Sequence, residues 1–529
     1  MSENTKTAQI PDLVAELEWR GLVKDATDKE ALRDHLADPK GTPRKVYCGF
    51  DPTADSLTIG NLVPIMMLAH VKRAGHTPVV VMGGGTGLIG DPSGKSAERQ
   101  MMTTETVEHH VNCQRPIFEN VLGQIEGPEH LIKNNLDWLG GISYIEALRD
   151  IGKHFSVNMM MQKESVKERL NNREQGISYT EFSYMILQAY DFAYLYENDG
   201  ITVQFGGSDQ YGNIVAGGDL IRRKRAHLVA VAQELVLLLA KGFGMPEAHD
   251  FKLEQSVAIA IKDLLYPVQH DSQLLQSVTG VLEYTVQIRD ILKKKGKDYH
   301  DLVAHMNGLI HGMSWAAQGE TFGLTAPLVQ KADGGKFGKT ESGAIWLTAA
   351  RTSPFAYYQF WLNATDEDAK NWIKVFTFLP QAEIESLIAR HDENPGKREL
   401  QRTLAQHATQ ILHGTDAMEN AEAAGKALFS GEVGTLDQET LVEVFASVPT
   451  TEHAKSDLDG DGADPVDLLI ACDLASSKRE AREFLSGNSV SINGQKIDAD
   501  TRINASHLLH GSFIAIRRGK KKWHMTKWS

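Results

Sequence analysis

Residues 45–62 read KVYCGFDPTADSLTIGNL, and the rest of the chain is organised around them. The stretch opens as a short apolar strand (Val46, Tyr47, Cys48), turns through Gly49 and Asp51-Pro52-Thr53, and reaches Ser56-Leu57-Thr58-Ile59-Gly60-Asn61. Leu62 to Leu68 follow, LVPIMML, with the spacing of a buried helix face. A polar turn feeding a helix N-terminus is a ready anion site, because backbone N–H groups and the helix dipole both point at it. Gly60 lets a flat or charged ligand approach the main chain there. Taken alone, the stretch reads either as a nucleotide site or as an ordinary strand–turn–helix.

The neighbouring sequence favours the first. Thr77–Met82, TPVVVM, is a buried parallel-type strand running into GGGTGLIGDPSGK at 83–95. Strands that alternate with helices and end in glycine describe a doubly wound α/β fold with a parallel sheet, whose ligands bind at the carboxyl ends of the strands. Both glycine-bearing turns then fall on one edge. The sequence argues against a P-loop: Gly94-Lys95-Ser96 fits its end, but its first glycine would fall at position 89, which is Ile. In the predicted helix Ser178–Leu195, Tyr184, Gln188 and Asp191 share one face at i, i+4 and i+7. Polar groups in so apolar a helix line a pocket, since buried polar groups need partners. The strand and loop Val203–Asn213, VQFGGSDQYGN, again bring glycines and an Asp-Gln pair to a strand end. The mobile, glycine-rich loop Lys331–Thr340 carries Lys336 and Lys339; taken alone it reads first as a solvated charged loop, and otherwise as a segment able to close over a polyphosphate.

Length suggests about three or four domains of roughly 100–200 residues each. A hydrophobic content of 42% and a charged content of 23% are those of a soluble globular enzyme. The net charge of −14 argues against nucleic-acid binding over the whole surface, though not against local basic patches. The three cysteines, Cys48, Cys113 and Cys472, are too scattered for a disulfide framework or a zinc site, and no metal ligand set emerges. The N-terminal residues lack a basic start followed by an apolar run, so no secretory signal is read. The apolar stretch Leu228–Ala240, at roughly 13 residues, is short of the roughly 20 that span a bilayer. The expectation is a cytoplasmic protein with no membrane partner.

In order, residues 1–44 read as a helical, polar extension and 45–223 as the first part of the catalytic domain. Residues 224–320 read as an inserted, mostly helical domain of unknown role, and 321–352 as the second catalytic part. Residues 353–448 are helix-patterned. Residues 449–465 read as a flexible acidic linker, since the EF-hand-like Asp457–Gly462 has Leu468 where the closing Glu belongs. Residues 466–529 form a small module with a Ser-capped basic helix (Lys478, Arg479, Arg482) and an Asn493-Gly494 hairpin. Its basic end is Arg517, Arg518, Lys520, Lys521 and Lys522. Charge segregated in this way is the footprint of a phosphate-backbone partner.

YCGFDPTADSL, GGGTGLIGDPSGK, KHFSVN (153–158), GISYTEFSYMILQAYDF, QFGGSDQYGN, KADGGKFGKTESG and RRGKKK, in this order, closely resemble the bacterial-type tyrosyl-tRNA synthetases, class I enzymes. The resemblance implies a Rossmann-like catalytic domain, then a helical domain on the anticodon side of the tRNA. It also implies a C-terminal α+β RNA-binding domain like that of a ribosomal small-subunit protein. The implied reaction has two steps: L-tyrosine attacks ATP (with Mg2+, and no permanently bound cofactor) to give tyrosyl-adenylate and pyrophosphate, and the tyrosyl group then passes to the terminal ribose of tRNA(Tyr). A homodimer is implied as well. Residue by residue, the resemblance puts Tyr47 and Asp191 on the substrate phenol, and Asp91, Tyr184 and Gln188 on its ammonium group, with Gln204 lining the pocket. Asp209 and Gln210 contact the ribose or the amino acid, and Gly207 the ribose, with Asp51 near the same substrates; Gly60 and Asn61 lie with the nucleotide; Thr53, Thr58, Lys336, Lys339 and Thr340 serve the phosphates. Lys478, Arg479, Arg482, Arg517, Arg518, Lys520, Lys521 and Lys522 face RNA.

The sequence departs from the family at Thr58-Ile59-Gly60-Asn61, where His-Ile-Gly-His is usual, at Tyr211 in place of tryptophan, and at the insertion. Thr58 is expected to replace one imidazole donor with its hydroxyl. The alternative reading is a synthetase-like RNA-binding protein with impaired catalysis. The intact Asp191 pocket and both loop lysines favour the enzyme.

Overall fold

A six-stranded sheet with Lys45–Phe50 near its middle carries the first half of the molecule. The computed structural model describes residues 12–37, 43–90, 102–162, 166–167, 177–226, 320–332, 334–335, 337–340, 343–446, 448–519 and 522–529. Most of the inserted segment 224–320 therefore lies outside the described residues; a helix over 211–226 leads into it. The chain divides after Gly338 into two compact units. The cut falls inside the segment read as the second catalytic part.

In the first unit the strands are β1 (Asp25–Ala26), β2 (Lys45–Phe50), β3 (Thr77–Met82), β4 (Leu131–Asn134), β5 (Val203–Gly207) and β6 (Phe322–Ala326), in the order β1-β6-β5-β2-β3-β4. All neighbouring pairs are parallel except the edge pair β1–β6. β3 is a run of β-branched and apolar residues buried from Pro78 to Met82, as a strand covered on both faces requires. The 1–44 segment is more than a helical extension. It holds helices α1 (Leu13–Trp19) and α2 (Lys29–Leu36), each with an Asp N-cap, but it also supplies β1.

Helix α3 (Leu62–Arg73) follows the opening strand and is buried on all sides from Ile65 onward, which explains its nearly unbroken apolar sequence. Of its buried cations, Lys72 Nζ donates to Leu122 O at 2.9 Å, and Arg73 Nη1 lies 3.1 Å from His70 Nδ1. Helix α4 (Thr104–Gly123) anchors the turn after β2, with His110 Nδ1 at 3.0 Å from Pro52 O and Gln114 Nε2 donating to Ala54 O at 2.8 Å. Helix α5 (Tyr179–Asp199) packs Ala189, Phe192 and Ala193 against Tyr47 and Val81.

The second unit begins with the short hairpin β7 (Lys339–Thr340) and β8 (Gly343–Ala344). Helices α6 (Pro354–Leu362), α7 (Asp366–Val375), α8 (Gln381–Glu393), α9 (Glu399–His413), α10 (Thr415–Ser430) and α11 (Gln438–Val444) match the helical reading of 353–448. The supposed linker is a different matter. With β10 (Val490–Ile492), β11 (Gln495–Lys496), β12 (Phe513–Arg518) and β13 (Lys522–Trp528), Thr450–His453 forms β9 of a five-stranded sheet ordered β11-β10-β12-β13-β9, paired in parallel with β13 at its edge. Leu458 is buried, Ala463 bridges Ile503, and Asp464 caps helix α12 (Pro465–Ala471). These contacts make 449–465 part of the C-terminal module rather than a flexible spacer. The hairpin β10 (Val490–Ile492) to β11 (Gln495–Lys496) turns on Asn493 and Gly494, both at positive φ (50° and 90°), as a two-residue I′ turn demands. β12 (Phe513–Arg518) completes the sheet, and its Ala515, with Met525, shares a core with Ala424, Val433 and Phe445.

Candidate active site

Strand order reverses beside β2: the chain moves outward to β3 and β4 on one side and to β5 and β6 on the other. At such a switch point the loops leave in opposite directions and open a crevice at the carboxyl ends of the strands. A cavity of about 400 Å³ lies there. Tyr47, Asp51, Thr53, Thr58, Gly60, Asn61, Tyr184, Gln188, Asp191, Gln204, Gly207, Asp209 and Gln210 all line it. Three separate stretches of sequence, 47–61, 184–191 and 204–210, thus converge on one site. A Cβ at Gly83 would collide with Asp51 Oδ1 and Thr86 Oγ1, so the glycine at the end of β3 lets the two turns meet.

At the deep end, Tyr47 and Gln204 stand side by side in register on β2 and β5. Asp191 reaches them from α5 and is only 5% exposed. Its Oδ1 accepts from Trp138 Nε1 at 2.8 Å and its Oδ2 from Asn135 Nδ2 at 2.9 Å. Burial lifts its pKa from 3.8 to about 7, against the opposing pull of those two hydrogen bonds, and the charge of Asp51 adds to the rise. Burial also pushes the Tyr47 phenol well above its ordinary range. The Tyr47 hydroxyl and Gln204 Oε1 are buried and have no hydrogen-bond partner among the described residues. Buried polar atoms left in this state are costly unless a ligand completes them.

Midway, Tyr184 donates to Asp51 Oδ2 at 2.9 Å and Thr86 to Asp51 Oδ1 at 2.8 Å. Asn213 Nδ2 donates to Gln188 Oε1 at 2.8 Å and lies 3.3 Å from Gln210 Oε1. The two carboxylates are joined through side chains, since Asn135 Nδ2 reaches both Asp191 and Thr86. Asn135, Trp138, Thr86 and Asn213 went unread as site residues. A signal did exist for the first two: the polar turn Asn134-Asn135-Leu136-Asp137-Trp138 leaves the carboxyl end of β4, on the edge where ligands bind.

At the shallow end, Thr53 is exposed and Gly60 sits in the short helical turn Ile59–Asn61 that leads into α3. The expectation for Thr58 needs correction. Its hydroxyl donates to Asn61 Oδ1 at 3.0 Å, so its single proton is engaged with a neighbour rather than offered to the cavity. Asp91 and Lys336 lie outside the described residues, as do Lys520 and Lys521. For Lys339 and Thr340 the backbone is described, as β7.

In the C-terminal module, Ser477 caps helix α13 (Lys478–Ser486), as expected. Lys478 pairs with Asp467 and Arg479 with Glu483, while Arg482 is exposed. Arg518 donates to Leu474 O at 2.6 Å and stacks on Phe484; Arg517 stacks on Trp523. Both guanidiniums thus also serve the fold. Lys522 Nζ lies 3.4 Å from Asp473 O at the exposed start of β13.

The family model described as tRNA synthetases class I (W and Y) matches residues 40–277 and 280–430, and one for the SYY-like C-terminal domain of tyrosine–tRNA ligases matches 440–526. The chain is 40% identical over 520 residues to the tyrosine–tRNA ligase of Bacillus caldotenax, covering 98% of this chain and all of that one. It is 39% identical to that of Aeromonas hydrophila, covering 98% and 99%. A C-terminally truncated mitochondrial tyrosyl-tRNA synthetase from Aspergillus nidulans superposes with a TM-score of 0.56 at 25% identity, covering 81% of this chain and 97% of that one. A parallel sheet with a switch-point cavity, together with these matches, makes the chain a member of the class I tRNA synthetases of the W and Y group. Within that group, its full-length relatives and its C-terminal domain place it among the tyrosine–tRNA ligases.

Proposed function

We propose that the chain activates L-tyrosine with ATP (carrying Mg2+ as part of the substrate) to tyrosyl-adenylate, and then charges tRNA(Tyr). The observation that carries this reading is the deep end of the cavity, where a buried carboxylate and an unpartnered buried hydroxyl, Asp191 and Tyr47, face a space in which a phenol satisfies both. A phenol donates to Asp191 and accepts from Tyr47; a bare aromatic ring leaves both unpaired, so the pocket selects for the hydroxyl.

The first step needs no protein base, because the attacking carboxylate is already ionised. The protein's part is alignment and charge stabilisation. Tyr184 and Gln188, with Asp91, hold the ammonium group, and Gln204 closes the pocket wall. Gly207, Asp209 and Gln210 take the ribose or amino acid, with Asp51 between the two substrates. The turn at Gly60 and Asn61 receives the nucleotide, and Thr53, Lys336, Lys339 and Thr340 serve the phosphates as pyrophosphate leaves. The basic face of α13 and the start of β13 receive the tRNA backbone.

A homodimer is supported by a cluster of exposed apolar side chains close in sequence: Tyr144 and Ile145 are 64% and 68% exposed, and Val157 58%. A cytoplasmic location fits the finding that no described helix is long and apolar enough to cross a membrane.

The decisive test is tyrosine-dependent ATP–pyrophosphate exchange by the purified full chain, followed by tRNA charging. Exchange that phenylalanine supports as well as tyrosine does sinks the assignment of the Asp191 end.

A further inference from the structure

Thr58 lies just before the turn Ile59–Asn61, in the extended conformation usual for a residue that opens a helix (φ −86°, ψ 164°). Its backbone N–H and its hydroxyl both donate to Asn61 Oδ1, at 3.1 and 3.0 Å. Two donors on one atom fix the sense of the Asn61 amide. The oxygen must face Thr58, because an NH2 group there would meet a backbone donor with no lone pair to offer it. The amide nitrogen, on the other side of the same planar carbon, is turned away from Thr58. Both residues line the cavity, and no protein acceptor takes that nitrogen among the described residues.

We propose that Thr58 is a positioning residue. It holds Asn61 by its carbonyl, so that Asn61 presents only N–H donors to the nucleotide, and it does not itself contact the phosphates. The phosphate oxygens and the ribose ring oxygen of a nucleotide only accept hydrogen bonds, and an amide less firmly held would present its oxygen to them part of the time. The β-branched threonine is suited to the task because its χ1 is stiff. This assignment rests on the reading of the shallow end as the nucleotide site.

The test is steady-state ATP–pyrophosphate exchange, with tyrosine affinity measured separately by equilibrium binding. Thr58→Val keeps the backbone donor and deletes only the hydroxyl's hydrogen bond, so it is expected to lower kcat/KM for ATP about fivefold with tyrosine affinity unchanged, and Thr58→Ser to stay within about twofold of the parent. Asn61→Ala is expected to cost at least as much as Thr58→Val, and adding Thr58→Val to it to cost nothing further, because the hydroxyl then has nothing to position. Losses that add in the double variant overturn the proposal and make Thr58 a direct ligand, while leaving the cavity's assignment to ATP intact. Asn61→Asp covers the case of a poorly folded Thr58→Val: it keeps the acceptor for both Thr58 donors and deletes the N–H group. Ordinary ATP kinetics in Asn61→Asp overturn the proposal. An absence of exchange in the parent is the separate failure that would overturn the underlying reading.

Discussion

From the deep end to the middle of the cavity each oxygen of Asp191 and Asp51 is tied to another side chain; at the shallow end the contacts are a glycine, an exposed threonine and one short side-chain pair. Asp191 is held by Asn135 and Trp138, Asp51 by Tyr184 and Thr86, and Gln188 is held by Asn213. Thr53 is exposed, and Thr58 and Asn61 bond mainly to each other. On the proposed assignment of the site, the difference follows from what each end must recognise. Accepting one aromatic side chain and refusing its analogue requires buried groups fixed before the ligand arrives. A phosphate chain needs donors, and a helix start supplies them from the backbone.

If that contrast is right, substitutions at the deep end should be severe and specific for tyrosine. Asp191→Ala should lower kcat/KM for tyrosine by about two orders of magnitude or more, because it strips the phenol of its acceptor and leaves Trp138 Nε1 without its acceptor and Asn135 Nδ2 with Thr86 alone, at about 1–3 kcal/mol for an unsatisfied buried group. KM for ATP should barely move, and comparable losses for both substrates would dissolve the distinction between the ends.

The same carboxylate should make stability depend on pH. Its folded pKa is raised, so the folded protein binds the proton more tightly than the unfolded chain. The resulting stabilisation is complete below the ordinary value of 3.8 and is lost as pH climbs to about 7. Asp191→Asn removes that dependence. The variant should gain on the parent by up to about 1.4 kcal/mol per pH unit over that window, read as the difference in Tm between pH 5 and pH 8. A constant difference across the window would mean that the carboxylate is ionised throughout.

Tyr47→Phe sharpens the comparison by separating function from stability. It deletes a hydroxyl with no protein partner, so it should leave Tm unchanged or raised by about 1 kcal/mol of stability while weakening tyrosine binding about tenfold. A clear loss of stability would show that the hydroxyl is satisfied in the free protein. The smallest effect belongs to the shallow end: Thr53→Val should slow adenylate formation by less than about tenfold, without altering tyrosine affinity or Tm. A loss in tyrosine affinity would place Thr53 at the wrong end.

How much of this was legible in the sequence depended on whether the signal is local. The strand Thr77–Met82 was readable as a short unbroken apolar run, and the Tyr184–Gln188–Asp191 face because a period of 3.6 is written into neighbouring residues. The Asn493-Gly494 turn was readable because its two positive φ angles select those residues. β1 was not: two residues, Asp25 and Ala26, become a strand only through pairing with Thr325 and Leu324. β9 is polar and runs into an Asp/Gly-rich stretch, and only β13 makes it a strand. Asn135 and Trp138 acquire their roles from Asp191, more than 50 residues away. For Thr58 the sequence offered a hydroxyl but could not say where its proton goes.

The parallel pairing of β9 with β13 has a consequence for how the protein is made. Glu452 meets Lys527, 75 positions further along. During synthesis Thr450–His453 emerges early and must wait for the strand that gives it a partner. Until then the apolar face around Phe445 and Val444 also lacks Ala515 and Met525. Translation therefore leaves an exposed edge and an uncovered core in the second unit until β13 is made, which is the interval when the growing chain is most open to wrong partners.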